Sequence, residues 1–278
     1  MASTIVKKTG LIPGKVTALV LDAPEIARKA QPGNFVVLRL TPVGERIPLT
    51  IADTDPKAGT ITIVYMVLGK TTATLEALGQ GDAILDLCGP LGKPTVLEKV
   101  GTVICVGGGT GIAAMHHIAK GHHRIGNKVV AIIGARSRDL LLFEKELGVF
   151  CEEVLVATDD GSYGHKGFVT QVLAARLKKD KNVGEVVAVG PVPMMRAVAE
   201  TTRPFGVRTI VSLNPIMVDG IGMCGACRVT VGGKVRFACV DGPEFDAHAV
   251  DFDELMLRLG SFHNQEQVSY KTYCTCHG

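Results

Sequence analysis

The hydrophobic pattern of this chain changes character near residue 100, and that change limits what it can fold into. Before it, short segments at 15–21, 34–40 and 60–67 alternate or run apolar. Turn signals such as Gln31-Pro32-Gly33, Asp55-Pro56 and Gly79-Gln80-Gly81-Asp82 separate them. Several short strands at this spacing predict a small antiparallel barrel over residues 1–98, with one helix at 71–78. After it, strand-like runs at 102–106, 128–133, 153–157, 186–189 and 208–212 alternate with helix-like stretches at 111–119, 140–147, 168–178 and 192–202. That alternation predicts a parallel sheet covered by helices over residues 99–214. A third piece, 215–250, carries short strands such as 228–231, and 251–278 reads as a short helix with a polar tail. The fold class is therefore β followed by α/β, with a small cysteine-bearing segment packed on at the end.

The first strand of the α/β part runs into Gly107-Gly108-Gly109-Thr110-Gly111, and residues 109–114 fit Gly-x-Gly-x-x-Ala. At a strand-to-helix switch, glycines let the backbone approach a pyrophosphate and the new helix aims free N–H groups at it. An acid at the end of the second strand, which would hold an NAD ribose, is missing; Arg136 and Asp139 stand there instead. NAD(H) and NADP(H) both remain open. In the barrel, Arg46-Ile47-Pro48-Leu49-Thr50 offers a guanidinium suited to phosphate, and Gly69-Lys70-Thr71-Thr72 opens a helix with bare N–H groups. Each has an ordinary alternative, a strand-edge arginine and a capped helix.

Near residue 220 the chain reads Asp219-x4-Cys224-x2-Cys227-x11-Cys239. This matches the spacing of plant-type [2Fe–2S] sites with aspartate in the first ligand position. The same residues could hold zinc, or the cysteines could be uncoordinated and Asp219-Gly220 a simple turn. Cys88, Cys105 and Cys151 read as small core residues. Cys274, Cys276 and His277 read as a mobile end. His116, His117, His122 and His123 surround a helix end near Gly121 and read as a solvated terminus.

Together these motifs resemble the ferredoxin-reductase-type flavoproteins, in the branch holding the electron-transfer subunit of dihydroorotate dehydrogenase B. Within it, the chain is most similar to the small subunits of NADH-dependent ferredoxin:NADP oxidoreductases and sulfide dehydrogenases. The resemblance implies FAD on Arg46, Pro48, Leu49 and Thr50, with Thr50 beside the reacting ring, and a second diphosphate segment at Gly69, Lys70, Thr71 and Thr72. It implies a nicotinamide nucleotide on Gly107, Gly109, Thr110, Gly111, Arg136, Asp160, Gly190 and Pro191, and a [2Fe–2S] cluster on Asp219, Cys224, Cys227 and Cys239. Two departures stand out. Val189-Gly190-Pro191 occupies the place where many relatives carry Cys-Gly-Pro, and Asp219 replaces a cysteine. By resemblance, electrons pass between NAD(P)H, FAD and the cluster to a larger flavin/iron–sulfur subunit and, through that heterodimer, to ferredoxin. Flavin-based bifurcation would link them. A subunit of dihydroorotate dehydrogenase B, sulfide dehydrogenase or hydrogenase is the rival enzyme reading, and a zinc-stapled interaction subunit the rival without redox activity.

Bulk properties are those of an ordinary soluble globular protein, expected to stay in the cytoplasm. A net charge of +3 and aromatics at 5% with no tryptophan argue against nucleic-acid binding. No apolar run reaches the ~20 residues of a membrane helix, and the start, Met1 to Lys8, lacks the apolar stretch of a secretion signal.

Overall fold

A computed structural model describes residues 3–277, with the side chain of His277 outside the described set. The first part forms strands β1 (Ser3–Ile12), β2 (Val16–Asp22), β3 (Phe35–Arg39), β4 (Ile47–Asp55), β5 (Thr60–Met66), β6 (Ala83–Ile84) and β7 (Asp86–Leu91), with helices α1 (Pro24–Lys29) and α2 (Lys70–Ala77). Their order in one antiparallel sheet is β6-β1-β2-β5-β4-β3-β7. The two edge strands are separated along the chain by Leu85 alone, so the sheet curls almost closed. Alternate residues fill its interior, including Leu19, Leu21, Val36, Leu38, Ile61 and Ile63. The same alternation turns Leu87 inward and Cys88 outward, so Cys88 is exposed and not a core residue.

The second part is β8 (Thr102–Gly108), α3 (Gly111–Arg124), β9 (Lys128–Ala135), α4 (Glu144–Gly148), β10 (Glu153–Thr158), β11 (His165–Lys166), α5 (Val169–Lys179), β12 (Val183–Val189), α6 (Val192–Thr202) and β13 (Arg208–Ser212). The cysteine segment adds β14 (Arg228–Val231), β15 (Lys234–Phe237), α7 (Ala238–Asp241) and β16 (Glu244–Asp246), and the chain ends in α8 (Phe252–Leu259) and α9 (His263–His277). The sheet order β11-β10-β9-β8-β12-β13-β16 is parallel except at its last edge, where β16 returns antiparallel to β13. The cysteine segment is thereby stitched into the nucleotide sheet. Two expectations change here. The helix expected over 140–147 is broken by Phe143, which takes φ 59° and starts the shorter α4. The polar end is helical as α9, in contact with α2.

One face of the sheet packs on α5, α6 and α8. The other packs on α3, and there Ile12, Val16, Ala52 and Val64 of the barrel join Ala113, Ala114 and Ile118 in one continuous core. Barrel and sheet are thus fused through α3. That helix buries three histidines, His116 at 8%, His117 at 2% and His122 at 1% exposure, which overturns the reading of a solvated terminus.

Burial, with the Arg208 charge in second place, pushes His122 from 6.5 down to about 4. The unfolded chain takes up this proton near its ordinary value while the folded chain resists, so unfolding gains as pH falls through that window. Stability attributable to His122 is complete above about pH 6.5, and about 3 kcal/mol of it is gone by about pH 4. Glu185, 3.6 Å away and itself raised by burial, tilts the other way. The His122 part is therefore read as the difference between the native chain and H122N in how the unfolding free energy, from urea titrations, changes between about pH 6.5 and pH 4; the same pH dependence in both would refute it.

Candidate functional site: a cleft between barrel and sheet, walled by the cysteine segment

A cleft with two adjoining halves runs along the junction of the two domains. One half, of about 420 Å³, brings Pro48, Leu49 and Thr50 of β4 opposite Gly109, Thr110, Gly111, Gly190 and Pro191. The other, of about 640 Å³, continues over Gly109 and Thr110 to Arg136, Asp159, Gly167 and Phe168, with Lys15 reaching in from the barrel. Met66, Leu68, Gly108 and Pro191 line both halves.

The glycine loop follows from close packing. Gly109 takes φ 56°, a left-handed turn that suits glycine. A Cβ on Gly111 would sit 2.6 Å from the Val189 carbonyl oxygen and 2.7 Å from Gly190 Cα, so α3 can start this near the sheet only with glycine there. Gly107 does not line the cleft; the space beside it is filled by Ile112 and Met115. Arg136 lines the second half, exposed and without a side-chain partner among the described residues. Asp160 points elsewhere: it accepts the Ser162 N–H at 2.8 Å, and the Ser162 hydroxyl and amide hold it below the ordinary range. Its neighbour Asp159 is the acid in the cleft.

The two phosphate candidates of the barrel lie beyond the cleft walls. Arg46 is exposed and unpaired among the described residues, ahead of β4. At the start of α2 the Thr72 hydroxyl accepts the Leu68 and Gly69 N–H groups at 3.0 and 3.1 Å, and Thr71 bonds Glu45. Thr72 is therefore a cap of the loop, while Lys70 stays exposed. Sequence reasoning missed Met66, Leu68, Lys15, Asp159 and Pro243; Met66, Leu68 and Asp159 stand beside the motifs, while Lys15 and Pro243 carry no local signal.

The cysteine segment closes the other side. Gly220, Gly222 and Gly225 all have positive φ, and the loop wraps around Asp219, whose carboxylate accepts the N–H groups of Ile221, Met223 and Cys224 at 3.0, 3.0 and 2.7 Å. Slight burial would raise its pKa, but these donors hold it below the usual carboxylate range. Cys227 and Cys239, both 2% exposed, place their Sγ atoms 3.2 Å apart, and Cys224 is exposed at the loop tip. Burial, then the Cys227 contact, pushes Cys239 up to about 12. Arg258 of α8 donates to the Ala226 carbonyl at 3.0 Å, anchoring the loop between Cys224 and Cys227. Among the described residues no three such donors converge as a preformed metal cage. The donor set still fits an iron–sulfur group: two buried, unbridged thiols, a third on a glycine-laced loop, and an ionised carboxylate at that loop's base. Cys274 and Cys276 are exposed on α9.

Phe35 and Met217 connect the two regions. Both line the first half of the cleft, and both pack in one core with Cys227 and Cys239.

Residues 214–251 match the iron–sulfur cluster binding domain of dihydroorotate dehydrogenase B, and residues 105–200 match the oxidoreductase NAD-binding domain. A dihydroorotate dehydrogenase B (NAD(+)) electron transfer subunit homolog of Thermotoga maritima is 49% identical over 91% of this chain and 89% of its own. The electron transfer subunit of Bacillus caldolyticus is 36% identical over 86% of this chain and 94% of its own. The chain belongs to the dihydroorotate dehydrogenase B electron transfer subunit family. Membership makes it an oxidoreductase subunit, and it agrees with the order of barrel, nucleotide sheet and cysteine segment seen here. A solved structure described as giving insights into flavin-based electron bifurcation via the NADH-dependent reduced ferredoxin-NADP oxidoreductase is 46% identical, with a TM-score of 0.93 over 98% of both chains. The ferredoxin reductase of carbazole 1,9a-dioxygenase shares the fold at 20% identity, with a TM-score of 0.63 over 74% of this chain and 66% of its own. No helix among the described residues is long and apolar enough to cross a membrane.

Proposed function

We propose that this chain is the electron-transfer flavoprotein subunit of an NADH-dependent ferredoxin:NADP oxidoreductase, carrying electrons between NAD(P)H and a larger flavin/iron–sulfur subunit in the cytoplasm. The observation that carries this reading is the wall of Phe35 and Met217, which makes the nucleotide cleft and the cysteine pair neighbours. FAD would be held along β4 at Pro48, Leu49 and Thr50, with its diphosphate on Arg46 and on the segment Gly69, Lys70, Thr71 and Thr72, where Thr72 shapes the loop by accepting the Gly69 N–H and Lys70 supplies the charge. The nicotinamide nucleotide lies over Gly109, Thr110 and Gly111, between Gly190, Pro191 and Arg136, with Asp159 as its acidic neighbour. Asp219, Cys224, Cys227 and Cys239 hold a [2Fe–2S] cluster. Bound there, the flavin supplies the conversion between hydride and single electrons, and the cluster supplies one-electron carriage. The protein's part is to orient and to exclude water. Leu68 and Met66 line the cleft's apolar waist, and Val189 leaves no thiol beside it.

The 46% identity over nearly the whole chain favours the ferredoxin:NADP oxidoreductase assembly, in which bifurcation links NADH, NADPH and ferredoxin. The names of the curated relatives favour a dihydroorotate dehydrogenase instead. The co-purifying subunit decides between them. Isolated without oxygen, the complex is expected to be yellow-brown, to carry iron and flavin on this chain, and to bleach on addition of NADH or NADPH supplied separately. Colourless, iron-free material would end the reading.

A further inference from the structure

Helix α3 leaves the glycine loop at Gly111 and runs against β4, the strand that carries Thr50. Two of its side chains grip that strand immediately after Thr50. His117 Nδ1 lies 3.0 Å from the Ile51 carbonyl oxygen, and Lys120 Nζ lies 3.0 and 2.9 Å from the two carboxylate oxygens of Asp53. Positions three apart share one helix face, so a single stripe of α3 makes both contacts. The strand is shaped to receive them: its pairing with β5 slips between Ile51 and Asp53, an irregularity that takes Ala52 out of register. His117 is 2% exposed, so its bond is shielded from water. The two contacts join α3, which begins at the nucleotide loop, directly to the strand after Thr50, and so fix how far apart the walls stand.

We propose that His117 and Lys120 are positioning residues that set the separation between the flavin strand and the nucleotide loop. With both cofactors bound, the chemistry they would serve is hydride transfer, in which the dihydronicotinamide would give a hydrogen with its electron pair to the flavin and become the oxidised nicotinamide cation. A displacement of about 1 Å in such a geometry costs about a hundredfold in rate, so a rigid spacer between the walls matters even though it touches neither reactant. The buried His117 is the rigid half of the clamp. The Lys120–Asp53 pair, part-exposed, is its outer half.

The inference rests on the cofactor placement proposed above, and its test separates the two. The complete complex is prepared with H117L, H117N, K120D and D53K/K120D, and flavin bleaching is followed by stopped flow with whichever nucleotide reduces the native protein. Hydrogen exchange of the β4 amides is measured in parallel on the same preparations. H117L is expected to slow bleaching at saturating nucleotide by about tenfold or more, with flavin content unchanged, and to speed exchange at 51–53. Asparagine can place its amide nitrogen where Nδ1 stands, so H117N should return to within about twofold of native on both readouts. K120D should slow bleaching, and the reversed pair D53K/K120D should recover it. H117N as slow as H117L, or a reversed pair no faster than K120D, would overturn the clamp, as would native rate and exchange in H117L. If H117L does not accumulate, the asparagine variant and the charge reversal decide alone. Failure of the native complex to bleach at all would strike the cofactor placement instead.

Discussion

Replacing Cys227 with alanine is expected to abolish the visible absorption of the iron–sulfur cluster while FAD stays bound. The sulfur removed is 2% exposed and 3.2 Å from that of Cys239, so no water or distant side chain can take its place. Its neighbours, Phe35, Val37, Met217 and Ala238, form a small core separate from the one that fills the barrel. Losing one sulfur there costs about 1 kcal/mol of packing and leaves the flavin strand intact. Cys151→Ala is the control. Burial among apolar side chains pushes that thiol up to about 12, and it packs against the α3 core far along the chain from the motif. Iron and absorbance measured on both variants decide the matter. Full cluster signal in Cys227→Ala would remove this residue from the ligand set.

Gly111→Ala carries the second large effect. The new methyl would meet backbone on the opposing strand, the Val189 oxygen at 2.6 Å and Gly190 Cα at 2.7 Å, and backbone cannot swing aside as a side chain can. Overpacking of this kind costs about 3 kcal/mol. The relief available is a shift of α3 away from β12, which would carry the Thr110 and Gly111 backbone away from the proposed nucleotide position. Nucleotide affinity should then fall by about tenfold or more, equivalent to about 1.4 kcal/mol. Gly148→Ala, in exposed α4 with nothing within 4 Å, should instead stabilise by about 0.5–1 kcal/mol. Urea melts and nucleotide titration of the two variants check the contrast. Native affinity in Gly111→Ala would mean the helix does not start this close to the sheet.

How much of this was legible depended on range. Strands β8, β9, β12 and β13 are buried on both faces, and unbroken runs such as Thr102 to Val106 announce them. The glycine loop and the cysteine spacing are local patterns, readable without the fold. Contacts made across the chain left no mark. His117 meets a carbonyl 66 positions earlier, so nothing in its own helix distinguished a buried clamp from a wet helix end. Strand β16 is three polar or half-buried residues whose place is fixed by pairing with β13. Asp159 and Asp160 are adjacent and alike; only the turn after β10 decides which enters the cleft. Helix α9 is polar on most faces, and its period is too weak to read.

The return of β16 beside β13 has a further meaning. The Leu213 N–H meets the Pro243 carbonyl at 2.9 Å, so the whole excursion bearing the cysteines leaves and re-enters the sheet at one doorway. Its two ends stay pinned whatever happens between them, and the entropy of closing that loop is already spent. Oxidative loss of the inorganic core would act first on the excursion and on Phe35 and Val37 of β3, which pack against its cysteines, while the sheet edge at β13 stays pinned. The fold thus permits the fragile part to be rebuilt in place, between ends that the sheet still holds.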